Sequence, residues 1–427
     1  MENELIVLVS VSAAVLFIIG VPIFLIIAHW VLWTSIIIDF TLANLSLTLF
    51  EGINFFGLLA LPLFILTGDI INAAGIAKRL TDFAYAMLGW VRGGLGLAAL
   101  GACGMFSAIS GSNAATTATI GSIMYKELKE GKYDDRFSAA TLASGGVVGI
   151  IIPPSIIFVI YGFLLNLPIG DLFMAGLIPG ALMIVGMQIV CLFMSWKFGW
   201  GKIIPFEVGN CARKGLRAYL GFVAIGIVLL GIYGGIFSPT EAAAMTVVFG
   251  LLAGTLITRE IKLLAIPKIL LHSGQVAGLL VPLVAVSIVM QQILSIIGAP
   301  AFVAGLFDGI NGYYATMAVC MAIILITGCF LESVPVVIIL APILAPIAYS
   351  IGVDPVHFAI IFVTGTAIGF ITPPFGLNLF VASSITSVPF LRVVPFVIPY
   401  LIALMLAWFA IVNMPELSTY LPSISGM

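Results

Sequence analysis

The chain alternates long apolar stretches with short polar connections from one end to the other. Many stretches reach about 20 residues, the length that an α-helix needs to cross the hydrocarbon core of a bilayer. No polar stretch is long enough to form a soluble domain. The first stretch, from Leu5 to Gly20, lacks a basic segment before it and a small-residue cleavage site after it, so we expect a retained span rather than a signal peptide. The pattern predicts an all-α polytopic membrane protein.

Composition narrows the function classes. Of the 427 residues, 62% are hydrophobic and 8% are charged, whereas soluble domains carry about 25% charged residues. The formal net charge of −2 argues against a nucleic-acid partner. The five cysteines form no CxxC pair and the three histidines lie far apart in the sequence. We therefore expect inert packing cysteines and no metal site built on histidine.

The Lys and Arg residues cluster in some connections and are absent from others. The positive-inside rule places the basic connections in the cytoplasm and the bare ones outside, and it predicts periplasmic positions for both termini. The basic connections are 76–92, 126–136, 197–217 and 259–268, and the bare ones are 166–171, 232–240, 298–313 and 350–356.

Two apolar segments cannot each cross the membrane from one side to the other. Segment 94–125 begins and ends beside basic connections, and segment 314–349 begins and ends beside bare ones. Each segment should therefore enter and leave on one side, which predicts two re-entrant helical hairpins that enter from opposite faces. Non-helical backbone survives at membrane depth only inside protein or beside a water-filled cavity, so the two hairpins indicate a solute path.

A weak internal repeat has a spacing near 220 residues. Residues 144–154 read SGGVVGIIIPP and residues 364–374 read TGTAIGFITPP. The connections around the first hairpin hold seven Lys and Arg residues, whereas those around the second hold none. The two halves are therefore expected to be inverted repeats. Inverted repeats are typical of transporters that work by alternating access, with the site near the midplane.

Each copy of the repeat ends in a proline pair, Pro153-Pro154 or Pro373-Pro374. Proline removes a helix hydrogen bond and clashes with the preceding turn, so two prolines after glycines should break the helix. A break exposes carbonyl oxygens, which suit a small hard cation such as sodium, and N–H groups, which suit a carboxylate. A simple kink is the alternative interpretation of either pair taken alone.

Polar residues mark the tips of the two expected hairpins. The first tip lies in FSAISGSNAATTATIG (106–121), where Ser-Gly-Ser-Asn predicts a turn followed by an N-cap; close helix packing is the alternative. The second tip carries Glu332, an intramembrane carboxylate that either lines an ion path or makes a structural hydrogen bond. Glu241 is interpreted as a structural helix-start carboxylate, and the role of Asp69 stays open.

Four motifs together resemble one known family. FSAISGSNAATTATIG, GGVVGIIIPPSI, FSPTEAAA and GTAIGFITPPFGLNLF are similar to the large membrane subunit of tripartite ATP-independent periplasmic (TRAP) transporters. The resemblance covers essentially the whole chain. Within the family, SGSNAATTATIG is similar to the sialic-acid branch.

The resemblance implies an elevator-type ion-transporter-like fold in a bacterial inner membrane. It implies sodium-coupled import of an organic acid, with a periplasmic solute-binding protein that delivers the solute and a small four-helix membrane subunit as partner. Sialic acid is the favoured solute, with a C4-dicarboxylate or another sugar acid as alternatives. No cofactor is implied besides the coupling sodium ions.

The resemblance also implies the residues of the site. The first hairpin and break would contribute one sodium site through Ser107, Ser110, Gly111, Ser112, Asn113, Gly145 and Gly149. The second pair would contribute another through Gly328, Glu332, Ser333, Gly365, Thr366, Gly369 and Thr372. The solute would lie near Asn113, Thr116, Pro153, Pro154, Ser155, Pro335, Pro373, Pro374 and Asn378. No Lys or Arg falls in this set, so sodium and half-helix N-termini would balance an anion.

The same carry-over divides the chain into a scaffold and a transport domain. The expected scaffold comprises 1–73 with the arm of the first repeat, 166–273, and a C-terminal helix in 386–427. The expected transport domain comprises 74–165, with hairpin 94–125 and broken helix 138–165, and 298–385, with hairpin 314–349 and broken helix 357–385. Segment 274–297 is a span of the second repeat.

Three other function classes compete with the tripartite subunit. A stand-alone secondary carrier of the same architecture would need no binding protein. An intramembrane enzyme should carry a nucleophile with a base, or clustered histidines and carboxylates, and no such cluster is evident. A passive channel is disfavoured because inverted broken helices are typical of alternating access.

Overall fold

A computed structural model of the protein describes residues 2–201, 203, 205–306 and 312–425. These residues form twenty-one α-helices. The first nine are α1 (Glu2–Ile18), α2 (Ile23–Ile37), α3 (Leu42–Ile53), α4 (Ala60–Ala73), α5 (Ile76–Leu88), α6 (Gly94–Ser110), α7 (Asn113–Glu130), α8 (Asp135–Gly146) and α9 (Ile156–Leu165). The middle six are α10 (Ile169–Phe198), α11 (Val208–Arg217), α12 (Tyr219–Tyr233), α13 (Pro239–Leu252), α14 (Ile266–Ile296) and α15 (Ala299–Leu306). The last six are α16 (Tyr313–Phe330), α17 (Ser333–Ser350), α18 (Pro355–Gly369), α19 (Leu377–Thr386), α20 (Phe390–Asn413) and α21 (Glu416–Ser425).

The prediction of an all-α polytopic membrane protein is confirmed. Seven described helical segments are long and apolar enough to cross a membrane, and the pair α11–α12, bent by 57°, brings the number to as many as eight. Helices α6 and α7 form one helical hairpin and α16 and α17 form another. Entry of each hairpin from a single membrane face stays a prediction. Residues 307–311 of the expected connection 298–313, and Lys202 in 197–217, lie outside the described residues.

The internal repeat of the sequence is also seen in the structure, where helices begin and break at equivalent positions in the two halves. The second arms of the hairpins begin at Asn113 and Ser333, which are 220 residues apart. Broken helices α8–α9 and α18–α19 follow the hairpins, and each is interrupted at a cis Pro-Pro bond. The repeat therefore extends from the hairpin tips to the breaks.

Several boundaries differ from those expected. Hairpin 94–125 continues to Glu130, since α7 ends only at its C-cap, Gly131, whose N–H donates to the carbonyl of Glu127. The broken helices begin at 135 and 355 rather than 138 and 357, since the preceding residues, Asp134 and Asp354, act as N-caps. The region 386–427 contains two helices, α20 and α21, separated near Pro415.

The N-cap aspartates fix the start of each broken helix. Asp134 accepts a hydrogen bond from the backbone N–H of Arg136 at 2.8 Å, and the Arg136 side chain pairs with the same carboxylate at 2.7 Å. Hydrogen bonding to Arg136 holds the pKa of Asp134 below its usual range. Asp354 accepts from the backbone N–H of His357 at 2.9 Å. Both caps satisfy donors that a helix terminus leaves without partners.

Replacing Asp354 by alanine should lower the free energy of unfolding by about 1 kcal/mol, because the cap hydrogen bond is lost. Thermal unfolding of the detergent-purified protein measures the effect. Asp354→Asn is the control, since asparagine caps as well as aspartate. An equal loss in both variants would contradict a capping role.

Helix α20 packs directly on both broken helices. The Tyr400 hydroxyl lies 2.8 Å from that of Thr141 in α8. The Trp408 indole N–H donates to the carbonyl of Ile361 in α18 at 2.9 Å, and both aromatic side chains are fully buried. The broken helices are therefore held in the protein interior. The division into scaffold and transport domains stays a prediction.

Candidate functional site

The tip of the first hairpin is a two-residue turn between α6 and α7. Gly111 is the C-cap of α6, and its φ of +63° is the left-handed conformation that glycine adopts without strain. Ser112 caps α7, since its hydroxyl accepts from the backbone N–H of Ala115 at 3.4 Å. Ser110 and Thr116 join their hydroxyls across the turn at 3.0 Å. The predicted turn and N-cap are confirmed.

This tip packs backbone to backbone against the first break. The N–H of Ile156 donates to the carbonyl of Gly111 at 3.4 Å. A Cβ added to Gly149 would lie 2.5 Å from the carbonyl oxygen of Ser112. Ser155 caps α9 and donates to the carbonyl of Ile150 at 2.6 Å. The hairpin tip and the Pro-Pro break are thus one local structure.

The second hairpin repeats this arrangement. Its turn comprises Leu331 and Glu332, so Ser333 already begins α17, and Pro335 lies in the first turn of that helix rather than in the loop. Glu332 occupies the N-cap position, but its side chain makes no capping hydrogen bond.

The second tip also packs against its break. A Cβ on Gly369 would lie 2.4 Å from the carbonyl carbon of Gly328. The Cys329 thiol donates to the carbonyl of Thr372 at 3.0 Å, and the N–H of Gly376 donates to the carbonyl of Cys329 at 3.4 Å. Both halves therefore use a glycine to bring a break against a hairpin tip.

The two halves meet at Asn378. Its side-chain amide donates to the carbonyl of Ala143 in α8 at 3.2 Å. A Cβ on Gly146 would lie 1.8 Å from the hydroxyl oxygen of Thr117 and 3.0 Å from the Asn378 amide nitrogen. A helix of the first half thus contacts the break of the second.

A cavity of about 440 Å³ lies between the two tips. Four helices begin at its wall: the first residues of α7, α9, α17 and α19 all line it, as do the turn residues Ser112 and Glu332. Helix N-termini carry a partial positive charge and leave backbone N–H groups without partners inside the helix. Two of these N–H groups are already bonded, that of Ile156 in α9 to Gly111 and that of Asn378 in α19 to Phe370. The cavity is therefore suited to an anionic group.

The opposite wall comes from α4 and α14. Asp69 lies on this wall with His272, whose Nδ1 is 3.0 Å from the carboxylate, and Ser273 donates to the same oxygen at 2.5 Å. Gly68 brings α4 against Ser110, since its Cβ would lie 3.4 Å from the Ser110 Cα. From the sequence, the role of Asp69 was left open, and nothing indicated its partners.

The predicted site residues divide into two groups. The cavity wall includes Ser110, Gly111, Ser112, Asn113, Glu332 and Ser333. The others lie in the hairpins and breaks behind it: Ser107, Thr116, Gly145, Gly149, Pro153, Pro154, Ser155, Gly328, Pro335, Gly365, Thr366, Gly369, Thr372, Pro373, Pro374 and Asn378. Gly145 and Gly365 face Cys103 and Trp408 rather than the tips.

Several buried oxygens in both halves have no hydrogen-bond partner within the described part of the chain. Asn113 and Ser333, which match in the repeat, are 3% and 2% exposed, and their side-chain polar atoms are unpartnered. The same holds for the hydroxyls of Ser144 and Thr364, a second matched pair. Burying such groups without partners is costly. Neutral oxygens of this kind fit a hard cation such as sodium.

Glu241 belongs elsewhere. It forms a reciprocal capping box with Ser238 at the start of α13, where the carboxylate accepts from the Ser238 N–H at 2.8 Å. The structural interpretation of Glu241 is confirmed.

Comparison with known proteins shows which family the chain belongs to. Residues 10–417 match the family described as the DctM component of the tripartite ATP-independent periplasmic transporter. The chain is 35% identical over 385 residues to the C4-dicarboxylate TRAP transporter large permease protein DctM of Pseudomonas aeruginosa, covering 90% of each chain. It is 32% identical over 396 residues to the sialic acid TRAP transporter large permease protein SiaM of Vibrio cholerae, covering 90% of this chain and 92% of that one.

A solved structure shares the fold. The crystal structure of the YdaH transporter of Alcanivorax borkumensis, described as having an unusual topology, superposes with a TM-score of 0.58. The match covers 88% of this chain and 90% of that chain at 13% identity.

These comparisons decide between the competing function classes. The relatives are named as permease proteins of transporters, so the interpretation as a transporter rather than an enzyme is confirmed. The family is tripartite, which favours the subunit over a stand-alone carrier. The chain belongs to the DctM family, as the large permease of a TRAP transporter of the binding-protein-dependent secondary type.

Proposed function

We propose that this permease imports an organic carboxylate together with sodium ions, by an elevator movement of the two hairpin–break pairs past the rest of the chain. The observation that carries the proposal is the convergence of four helix N-termini on one cavity. A carboxylate placed there would accept hydrogen bonds from free backbone N–H groups. This would balance an anion without a Lys or Arg side chain.

Sodium would occupy the hairpin–break junctions. Each junction places neutral oxygens, carbonyl or hydroxyl, beside a broken helix, and matched buried oxygens in both halves lack other partners among the described residues. Sodium bound at both junctions would add positive charge beside the cavity. This would make solute binding depend on sodium, which is the requirement for coupled transport.

The family implies the partners and the location. A small membrane subunit and a periplasmic binding protein would complete the transporter in the bacterial inner membrane, with both termini of this chain in the periplasm. The named relatives include C4-dicarboxylate and sialic acid permeases. The proposal therefore commits to the carboxylate class, with sialic acid as the favoured member and a C4-dicarboxylate or another sugar acid as the first alternatives to assay.

Uptake into proteoliposomes that hold the assembled transporter and its loaded binding protein should fall at least tenfold when sodium is replaced by choline. The Ser333→Ala variant should need a several-fold higher sodium concentration for half-maximal uptake, because one neutral oxygen at the second junction is removed. Ser350→Ala, at the other end of α17, is the matched control and should behave as the unaltered protein. Undiminished uptake without sodium would refute the coupling.

A further inference from the structure

A second cavity lies away from the solute cavity, at the end of α12 where basic residues gather. It has a volume of about 480 Å³ and lies where α5 meets the junction of α11 and α12. Four cationic side chains line it: Lys78, Arg79, Lys214 and Arg217. The positive-inside rule places this end of the protein at the cytoplasmic surface.

Charges in this cavity are only partly balanced. Lys214 pairs with Asp82 and Arg79 pairs with Glu260, each at 3.0 Å. Lys78 and Arg217 pair with no carboxylate of the described chain, and both are exposed. The cavity therefore carries two uncompensated positive charges on a framework that the two ion pairs hold in place.

An apolar groove continues from this cavity along α12. It has a volume of about 590 Å³ and is lined by apolar side chains and glycines from Tyr219 to Leu230, with Ile236 and Phe237 at the far end. Tyr219 lines both the basic cavity and the groove, so the two adjoin at this residue. Leu230 is 71% exposed, which places the groove on the outer surface of the described chain.

The dimensions match those of one lipid leaflet. Tyr219 and Leu230 are eleven positions apart on one helix, which corresponds to about 16 Å at 1.5 Å per residue. Half of a hydrocarbon core of about 30 Å has nearly the same depth. A basic pocket at the interface followed by an apolar groove of this length suits a phosphate-bearing headgroup with an acyl chain attached.

Helix α11 supports the same location. It is strongly amphipathic, meets α12 at a bend of 57°, and exposes Val208 and Leu216 at 72% and 74% beside its basic residues. A basic helix with exposed apolar side chains is typical of a segment that lies in the membrane interface. The basic cavity therefore sits at headgroup depth.

We propose that this combined site binds an anionic phospholipid of the cytoplasmic leaflet. Lys78 and Arg217 contact the headgroup phosphate, and the groove along α12 holds an acyl chain. Basic pockets between membrane helices recognise anionic headgroups through this combination of charge and depth.

The test is retention of phosphatidylglycerol against phosphatidylcholine by the purified transporter complex, quantified by mass spectrometry. The double variant Lys78→Gln/Arg217→Gln should lower phosphatidylglycerol retention about 30-fold, given the usual contribution of two interfacial cations. Arg213→Gln is the matched control: it removes one charge from the same helix, but Arg213 bonds Asn210 at 3.2 Å and does not line the cavity.

A second variant distinguishes binding of a lipid from binding of free phosphate. Leucine at Gly226 should fill the groove, because a Cβ there would meet only Leu230 Cδ1, at 3.8 Å. Gly226→Leu should reduce lipid retention while leaving binding of inorganic phosphate unchanged. Unaltered phosphatidylglycerol retention in Gly226→Leu would overturn the lipid assignment. Equal retention in the unaltered complex and the double variant would overturn it too. That result is also expected if the small subunit covers the groove, because no lipid would then bind there in either complex.

Discussion

Replacing Asn113 by leucine is expected to reduce solute uptake by about 100-fold while leaving the fold at least as stable. The side chain is 3% exposed, and neither amide atom has a hydrogen-bond partner in the described chain. An unsatisfied buried amide costs about 1–3 kcal/mol, so an apolar side chain of similar shape should not destabilise the protein. Under the proposed function, the Asn113 amide contacts a bound ion or the solute. A hydrogen bond to a charged group contributes about 1.5–3 kcal/mol, so the loss of this contact should reduce uptake rather than stability.

Two measurements separate these effects. Thermal unfolding of the purified Asn113→Leu variant reports stability, and uptake by reconstituted transporter reports function. Asn113→Ser is the matched variant, because serine is the residue at the equivalent position, Ser333, of the second half. It retains one oxygen and should keep part of the activity. Full uptake by Asn113→Leu would show that this amide contacts neither ion nor solute.

Alanine at Gly149 or at Gly369 is expected to lower uptake at least tenfold. Each added Cβ would fall 2.4–2.5 Å from backbone atoms of a hairpin tip, at Ser112 or Gly328. Backbone cannot yield as a flexible side chain can, and overpacking of this kind typically costs about 1–3 kcal/mol. The tip would have to move away from the break, which would disrupt the junction proposed to hold sodium.

The sodium dependence of uptake distinguishes a local effect from misfolding. Both variants should require more sodium for half-maximal uptake, whereas Gly278→Ala on α14 should not, because no atom lies within 4 Å of its added Cβ. An effect at Gly149 without one at Gly369 would contradict equivalent roles for the two junctions.

Much of the fold follows from features that are local in sequence. Pro-Pro pairs after glycine-rich runs break helices wherever they occur, so both interruptions could be placed to within a residue or two. The Ser-Gly-Ser-Asn turn specified the first tip for the same reason. Helix ends were less accurate, because caps such as Asp134 and Asp354 extend helices beyond the apolar pattern.

Site residues could be predicted only where the internal repeat and the turn-forming residues fall at the same positions, as they do at the hairpin tips. Gly145 and Gly365 were predicted as sodium-site residues, and that role stays a prediction. An added Cβ on either would meet a side chain, that of Cys103 or Trp408, rather than a hairpin tip. On the cavity wall, Asp69 and His272 are in contact although they are 203 positions apart in the sequence. No periodicity or motif within either helix indicates that contact, since it depends on how α4 packs against α14.

The hydrogen bond from Asn378 to the carbonyl of Ala143 affects how many ions are transported with each solute molecule. It adds to the packing of α19 in the second half against α7 and α8 in the first, so under the proposed mechanism we expect the two junctions to cross the membrane together. Every ion held by either half would then travel in the same step as the solute. The ratio of ions to solute would be a fixed whole number, and the steepest concentration gradient that the transporter can sustain would follow from counting those ions.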